Sequence, residues 1–205
     1  MEQYSAAARE ASAEFTEKKS VFIGTVAPVS GEDEAKAFVE RISARFPDAT
    51  HNVYAYILRG GAVCRFSDDG EPSGTAGMPA LEVLRREGLS ETALVVTRYF
   101  GGILLGAGGL TRAYAKAAKL AIDAAGIATF RPFDTYTLST DYTYYEKIRK
   151  EMPAYGVKND GCDFAAEVVF SIAVDEEHFP AFSDFVRDLT GNKARFVKTG
   201  SRYDA

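Results

Sequence analysis

Thr97-Arg98-Tyr99-Phe100-Gly101-Gly102-Ile103-Leu104-Leu105-Gly106-Ala107-Gly108-Gly109-Leu110-Thr111-Arg112 runs from a β-branched stretch through five glycines into an alanine-rich one. Residues 92–98 read as a strand. Residues 110–125, with Tyr114, Leu120 and Ile122 set among alanines, read as a helix of high intrinsic propensity stopped by Gly126. Upstream, residues 50–58 and 62–67 form a hairpin across Arg59-Gly60-Gly61, whose glycines supply the positive φ of a tight turn. A short helix follows at 79–87, with Leu81, Val83 and Leu84 as its apolar side and Gly88 as its stop. Further back, residues 20–29 are a strand. A helix comes next, capped by Ser30 with Asp33 three residues on, and Ala35, Phe38, Val39, Ile42 and Phe46 recur at helical spacing until Pro47. That apolar stripe needs a sheet to lie on. The first twenty residues mix Arg9, Glu10, Glu14, Glu17, Lys18 and Lys19 with small residues, lack the apolar core of a secretory signal, and receive no element.

Beyond Arg131-Pro132 the pattern restarts: strand 133–141, helix 144–153, strands 157–164 and 165–174, helix 175–189 and strand 194–199. This β-α-β-β-α-β order is the split βαβ arrangement. Asp175 caps its last helix, which carries Phe182, Phe185, Val186 and Leu189 on one face. The expected fold class is α+β in two domains, 1–127 and 128–205, divided near 127–131 and packed through a modest interface.

A chain of 205 residues with 46% hydrophobic and 12% aromatic content can bury a core. Its net charge of -5 argues against coating nucleic acid through overall charge, leaving only a local basic face. Cys64 and Cys162 are too few for a disulfide framework or a four-cysteine zinc site, and they fit a reducing cytoplasm. No segment reaches the roughly 20 apolar residues that cross a bilayer. The expected location is therefore cytoplasmic, with no membrane partner.

Chemistry can sit in two places. Residues 67–77 form a loop dense in turn formers and carboxylates. Asp68, Asp69 and Glu71 can hold a hard cation there, or supply an exposed turn with local backbone hydrogen bonds. Their spacing is not that of a calcium loop, and no metal or other cofactor is expected. The second place is the glycine segment. Gly101, Gly102, Gly106, Gly108 and Gly109 let another molecule approach the backbone, and the helix start beyond them favours an anion. Neither the P-loop nor the dinucleotide fingerprint is complete, and the same glycines serve equally well for tight turns and close packing.

No acidic residue occurs between Glu91 and Asp123, whereas Arg98, Arg112, Lys116 and Lys119 all do. The last three align on one helix face, with the rings of Tyr99 and Phe100 nearby, as a phosphate backbone with splayed bases requires. A solvated helix face without a partner is the alternative. His51, His178 and both cysteines are assigned structural roles, and no catalytic residue is named.

Three blocks carry a family resemblance: His51-Asn52-Val53-Tyr54-Ala55-Tyr56, the run Phe66-Ser67-Asp68-Asp69-Gly70-Glu71-Pro72-Ser73-Gly74-Thr75-Ala76-Gly77-Met78-Pro79, and the stretch from Val96 through the glycines to Tyr114. They resemble the signature blocks of the IMPACT family in its bacterial, YigZ-type branch. The resemblance implies an N-terminal α/β domain similar to the second domain of a small-subunit ribosomal protein and to domain IV of elongation factor G. It implies a ferredoxin-like C-terminal domain similar to domain V of that factor. Eukaryotic members regulate translation by interfering with a starvation-sensing kinase through an additional N-terminal domain, so that partner is not carried over. The function read here is a translation-linked regulator that binds RNA or the ribosome, with a protein partner in translation also open. Arg98, Tyr99, Gly101, Gly102, Gly106, Gly108, Gly109, Arg112, Lys116 and Lys119 form its anion-binding set. The alternatives are an enzyme or sensor for a phosphorylated small molecule, built on the glycine segment and the acidic loop, and a protein-interaction module.

Overall fold

The computed structural model describes residues 3–204, with the backbone alone of Arg59. The chain divides into two compact units, Tyr4–Thr129 and the residues from Phe130 onward. In chain order the elements are β1 (Tyr4–Ala7), β2 (Ala11–Glu17), β3 (Ser20–Pro28), α1 (Glu32–Arg45), β4 (His51–Leu58), β5 (Val63–Ser67), α2 (Gly77–Arg86), β6 (Thr92–Tyr99) and α3 (Ala107–Ala125). They continue with β7 (Ile127–Thr140), α4 (Tyr145–Glu151), β8 (Lys158–Phe164), β9 (Val168–Val174), α5 (Phe179–Thr190) and β10 (Arg195–Asp204). No described helix is long and apolar enough to cross a membrane.

The first unit is built on a sheet of order β2-β3-β6-β4-β5, antiparallel at every pair. It is thus not the alternating parallel α/β layer that the term implies, and the whole protein is α+β with two antiparallel sheets. Both faces of the sheet are covered, which is why residues 93–96 of β6 read as an unbroken apolar run. Its Ala93 and Val95 join Phe38 and Ile42 of α1 on one face. Leu94 and Val96 join Leu81 of α2 and Tyr114, Ala117 and Ala121 of α3 on the other. Each fully buried Leu, Val or Phe there stabilises the fold by roughly 1.5–3 kcal/mol.

Two local expectations are corrected. Residues 4–17, given no element, form β1 and β2. Their Ala, Ser and Glu content has low strand propensity, and pairing decides instead: β2 lies along β3, with Phe15 opposite Phe22 and the two rings stacked at 5.3 Å. At the start of α1, Ser30 does not cap through Asp33. Its backbone N–H and hydroxyl donate to Glu34 Oε2 at 2.7 and 2.6 Å.

The second unit shows the strand-helix-strand-strand-helix-strand order, with an antiparallel sheet β10-β7-β9-β8. Leu138, Phe170 and Ile172 pack with Ile148 of α4 and with Phe182 and Val186 of α5. Pro132 lies inside β7, since proline bars a helix interior but tolerates an extended chain. Asp175 accepts from His178 N at 2.8 Å and organises the turn ahead of α5.

Candidate functional site

The glycine segment is pinned where it leaves β6. Phe100 N donates to Thr50 Oγ1 at 3.0 Å and Gly101 N to Ser20 Oγ at 3.1 Å. A Cβ on Gly101 would lie 2.0 Å from the carbonyl carbon of Lys19, so only glycine lets the segment meet the β2–β3 turn. Gly102 and Gly106 hold positive φ of 81° and 75°. The first bond of α3 runs from Leu110 N to Gly106 O, leaving the amides of Ala107, Gly108 and Gly109 without intrahelical acceptors.

Under this segment lies a cavity of about 150 Å³ lined by Lys18, Arg112, Lys116, Gly109, Leu105 and Glu17. Arg112 folds back beside the first turn of α3, its Nη1 3.5 Å from where a Gly108 Cβ would sit. Lys116 Nζ rests 4.4 Å from the Phe15 ring centroid, a contact that leaves its charge available to an anion. Among the described residues none of these three cations forms an ion pair with a carboxylate, and all three are exposed. Lys18 belongs to the site and was missed, because it enters only through the β2–β3 hairpin. Across α3, a groove of about 420 Å³ runs between α2 and α3, with Met78, Pro79, Val83, Thr111 and Ala115 along it and Arg112 at its edge.

Arg98 is not part of the basic face. It is 5% exposed, and its Nη1 donates to the buried Glu71 Oε1 at 2.5 Å. Its Nη2 donates to Ser20 Oγ at 3.3 Å, and the rings of Phe22 and Phe100 flank the guanidinium at 5.4 and 5.3 Å. A strand's period of two places Arg98 on the inward face with Leu94 and Val96, a signal present in the sequence. Lys119 is exposed but ion-paired to Asp123 and to Glu87, so it adds little free charge. Tyr99 donates its hydroxyl to Asp48 Oδ1 at 2.9 Å.

Much of the acidic loop is an exposed turn held by local backbone hydrogen bonds, and of its three acids Glu71 alone is buried. Asp68 accepts from the backbone N–H groups of Gly74, Ala76 and Gly77 at 2.8, 3.1 and 2.8 Å, which orders the loop into the start of α2. Asp69 accepts from Asn52 N at 2.5 Å. Glu71 also accepts from the Tyr114 hydroxyl at 2.7 Å, and burial, reinforced by that carboxylate, pushes the phenol far above its ordinary range. The His51 Nδ1–H donates to the Asp69 carbonyl at 2.6 Å, which turns Nε2 to within 3.9 Å of Glu71 Oε1. Glu71, Arg98, Tyr114 and His51 therefore meet in one partly buried network joining the acidic loop to the base of the glycine segment. Ser20, His51 and Tyr114 had no place in the expected site.

Residues 18–122 match the family model described as the Impact N-terminal domain, and residues 138–193 match one described as a domain of unknown function (DUF1949). The IMPACT family member YvyE of Bacillus subtilis is 40% identical over 178 residues, covering 86% of this chain and 82% of its own. The IMPACT family member YigZ of Escherichia coli is 37% identical over 176 residues, covering 84% of this chain and 86% of its own. A solved structure titled as a crystal structure of an hypothetical protein superposes with a TM-score of 0.63 at 35% identity, over 96% of this chain and 97% of that one.

Proposed function

We propose, for a chain that belongs to the IMPACT family, a translation-linked role in which the basic face of α3 and the adjoining glycine segment bind RNA or the ribosome. The observation that carries this reading is the group of exposed cations Lys18, Arg112 and Lys116, which form no ion pair among the described residues and line one cavity with a single acid, Glu17. Three cations beside one acid leave a net positive charge, and an incoming phosphate lowers their mutual repulsion. The link to translation rests on the family resemblance, as does the reading of the first unit as similar to domain IV of elongation factor G. The antiparallel order β10-β7-β9-β8 with two helices packed on it supports a ferredoxin-like second unit. The rival, an enzyme for a phosphorylated small molecule, asks Asp68, Asp69 and Glu71 for metal or acid-base groups. Each of those carboxylates accepts from protein donors instead.

Sedimentation of the tagged protein through a ribosome gradient at low and high salt tests the proposal. Association at low salt that weakens with salt and disappears in Arg112→Glu with Lys116→Glu is expected. A parent protein that binds neither ribosomes nor RNA at low salt overturns it.

A further inference from the structure

Arg112 is shared by two recesses of opposite character. The cavity on one side, about 150 Å³, carries Lys18 and Lys116 against the single acid Glu17. It lies below the roughly 300–1,000 Å³ of ordinary small-molecule sites, so it suits one compact anionic group. The groove on the other side, about 420 Å³, falls within that range. Met78, 37% exposed, Pro79, Val83 and Ala115 supply its apolar lining, and besides Arg112 its charged residues are Arg86 and Glu82, the latter held by Arg85 at 2.6 Å. A flat group covalently joined to a phosphate has the two characters that the recesses ask for, and Arg112 lines both.

We propose that the two recesses take one unpaired nucleotide of single-stranded RNA, its phosphate in the Lys18/Arg112/Lys116 cavity and its base in the groove between α2 and α3. This rests on the RNA reading above and narrows it. In a duplex the base faces are stacked away and only phosphates reach a protein surface, whereas a single strand can turn a base into an apolar groove. The cations alone accept either form. The groove makes the distinction, and the flexible thioether of Met78 tolerates any base.

Fluorescence anisotropy on the full chain decides it, using a labelled 12-nucleotide RNA without internal pairing and the same strand annealed to its complement. The single strand should bind at least about tenfold tighter than the duplex. Lys18→Gln should weaken binding of the single strand and flatten its log-affinity against log-salt slope by about 0.7. Met78→Ser should weaken the single strand severalfold, leave that slope unchanged and leave the duplex unaffected. Both residues are exposed, and unfolding curves matching the parent's confirm that the variants fold. Equal affinity for the two forms, or no loss in either variant, overturns the nucleotide site while RNA binding itself stands. Failure of both forms to bind removes both readings.

Discussion

Arg98 Nη1 donates to Glu71 Oε1 at 2.5 Å between two side chains that are only 6% and 3% exposed. The pair ties the acidic loop to the C-terminal end of β6, just ahead of the glycine segment, and Tyr114 of α3 donates to the same Glu71 oxygen. The loop and the glycine segment are thus joined by a buried charge pair, a structural role for residues whose types suggest chemistry.

Removing one member of such a pair strands the other in a dry site. Glu71→Ala is expected to cost about 3–5 kcal/mol in urea unfolding, whereas Glu71→Leu with Arg98→Met should recover most of that loss. A loss below about 1 kcal/mol in the single variant would mean that water reaches Arg98.

The cations of α3 should not behave alike. Lys119→Gln is expected to leave RNA affinity and its salt slope unchanged, because Asp123 and Glu87 already neutralise Lys119. Arg112→Gln with Lys116→Gln should flatten the slope by about 1.4, two phosphate contacts at about 0.7 each. Titration of both variants against salt separates the cases.

Acid should loosen the start of α1. The Ser30 hydroxyl and then its backbone N–H hold the Glu34 carboxyl below its usual 4.5. A lowered carboxylate contributes stability above its unfolded value and loses it as pH falls through the folded one. Glu34→Ala should therefore cost about 0.5–1.5 kcal/mol at neutral pH, the net range of an exposed intramolecular hydrogen bond. The difference from the parent should fade as pH falls below the ordinary 4.5 in unfolding measurements across pH.

The two units should unfold separately, because the residues packed around Tyr114 and those packed around Phe182 form distinct cores. Phe182→Ala is expected to cost about 3–5 kcal/mol and to lower one calorimetric transition while the other stays in place. A single transition that moves as a whole would count against separate folding.

The sequence by itself determined the elements from β3 onward. Their apolar residues repeat with period two or 3.6, and glycines such as Gly88 and Gly126 mark where helices stop. It also determined the α+β class, the strand-helix order of the second unit and the three blocks that place the chain in its family. Only the tertiary structure decided that residues 11–17 are a strand, because Ala, Ser and Glu pair there along β3 and Phe15 stacks on Phe22. It alone decided which charges are free. Arg98, Arg112, Lys116 and Lys119 look equivalent along the chain, yet Glu71, 27 residues earlier, neutralises the first, and Asp123 and Glu87 hold the last. Lys18 joins the middle two from a hairpin nearly a hundred residues away. Periodicity is local and survives in one dimension, whereas an electrostatic site depends on which carboxylates the fold brings within a few ångströms and which it leaves elsewhere.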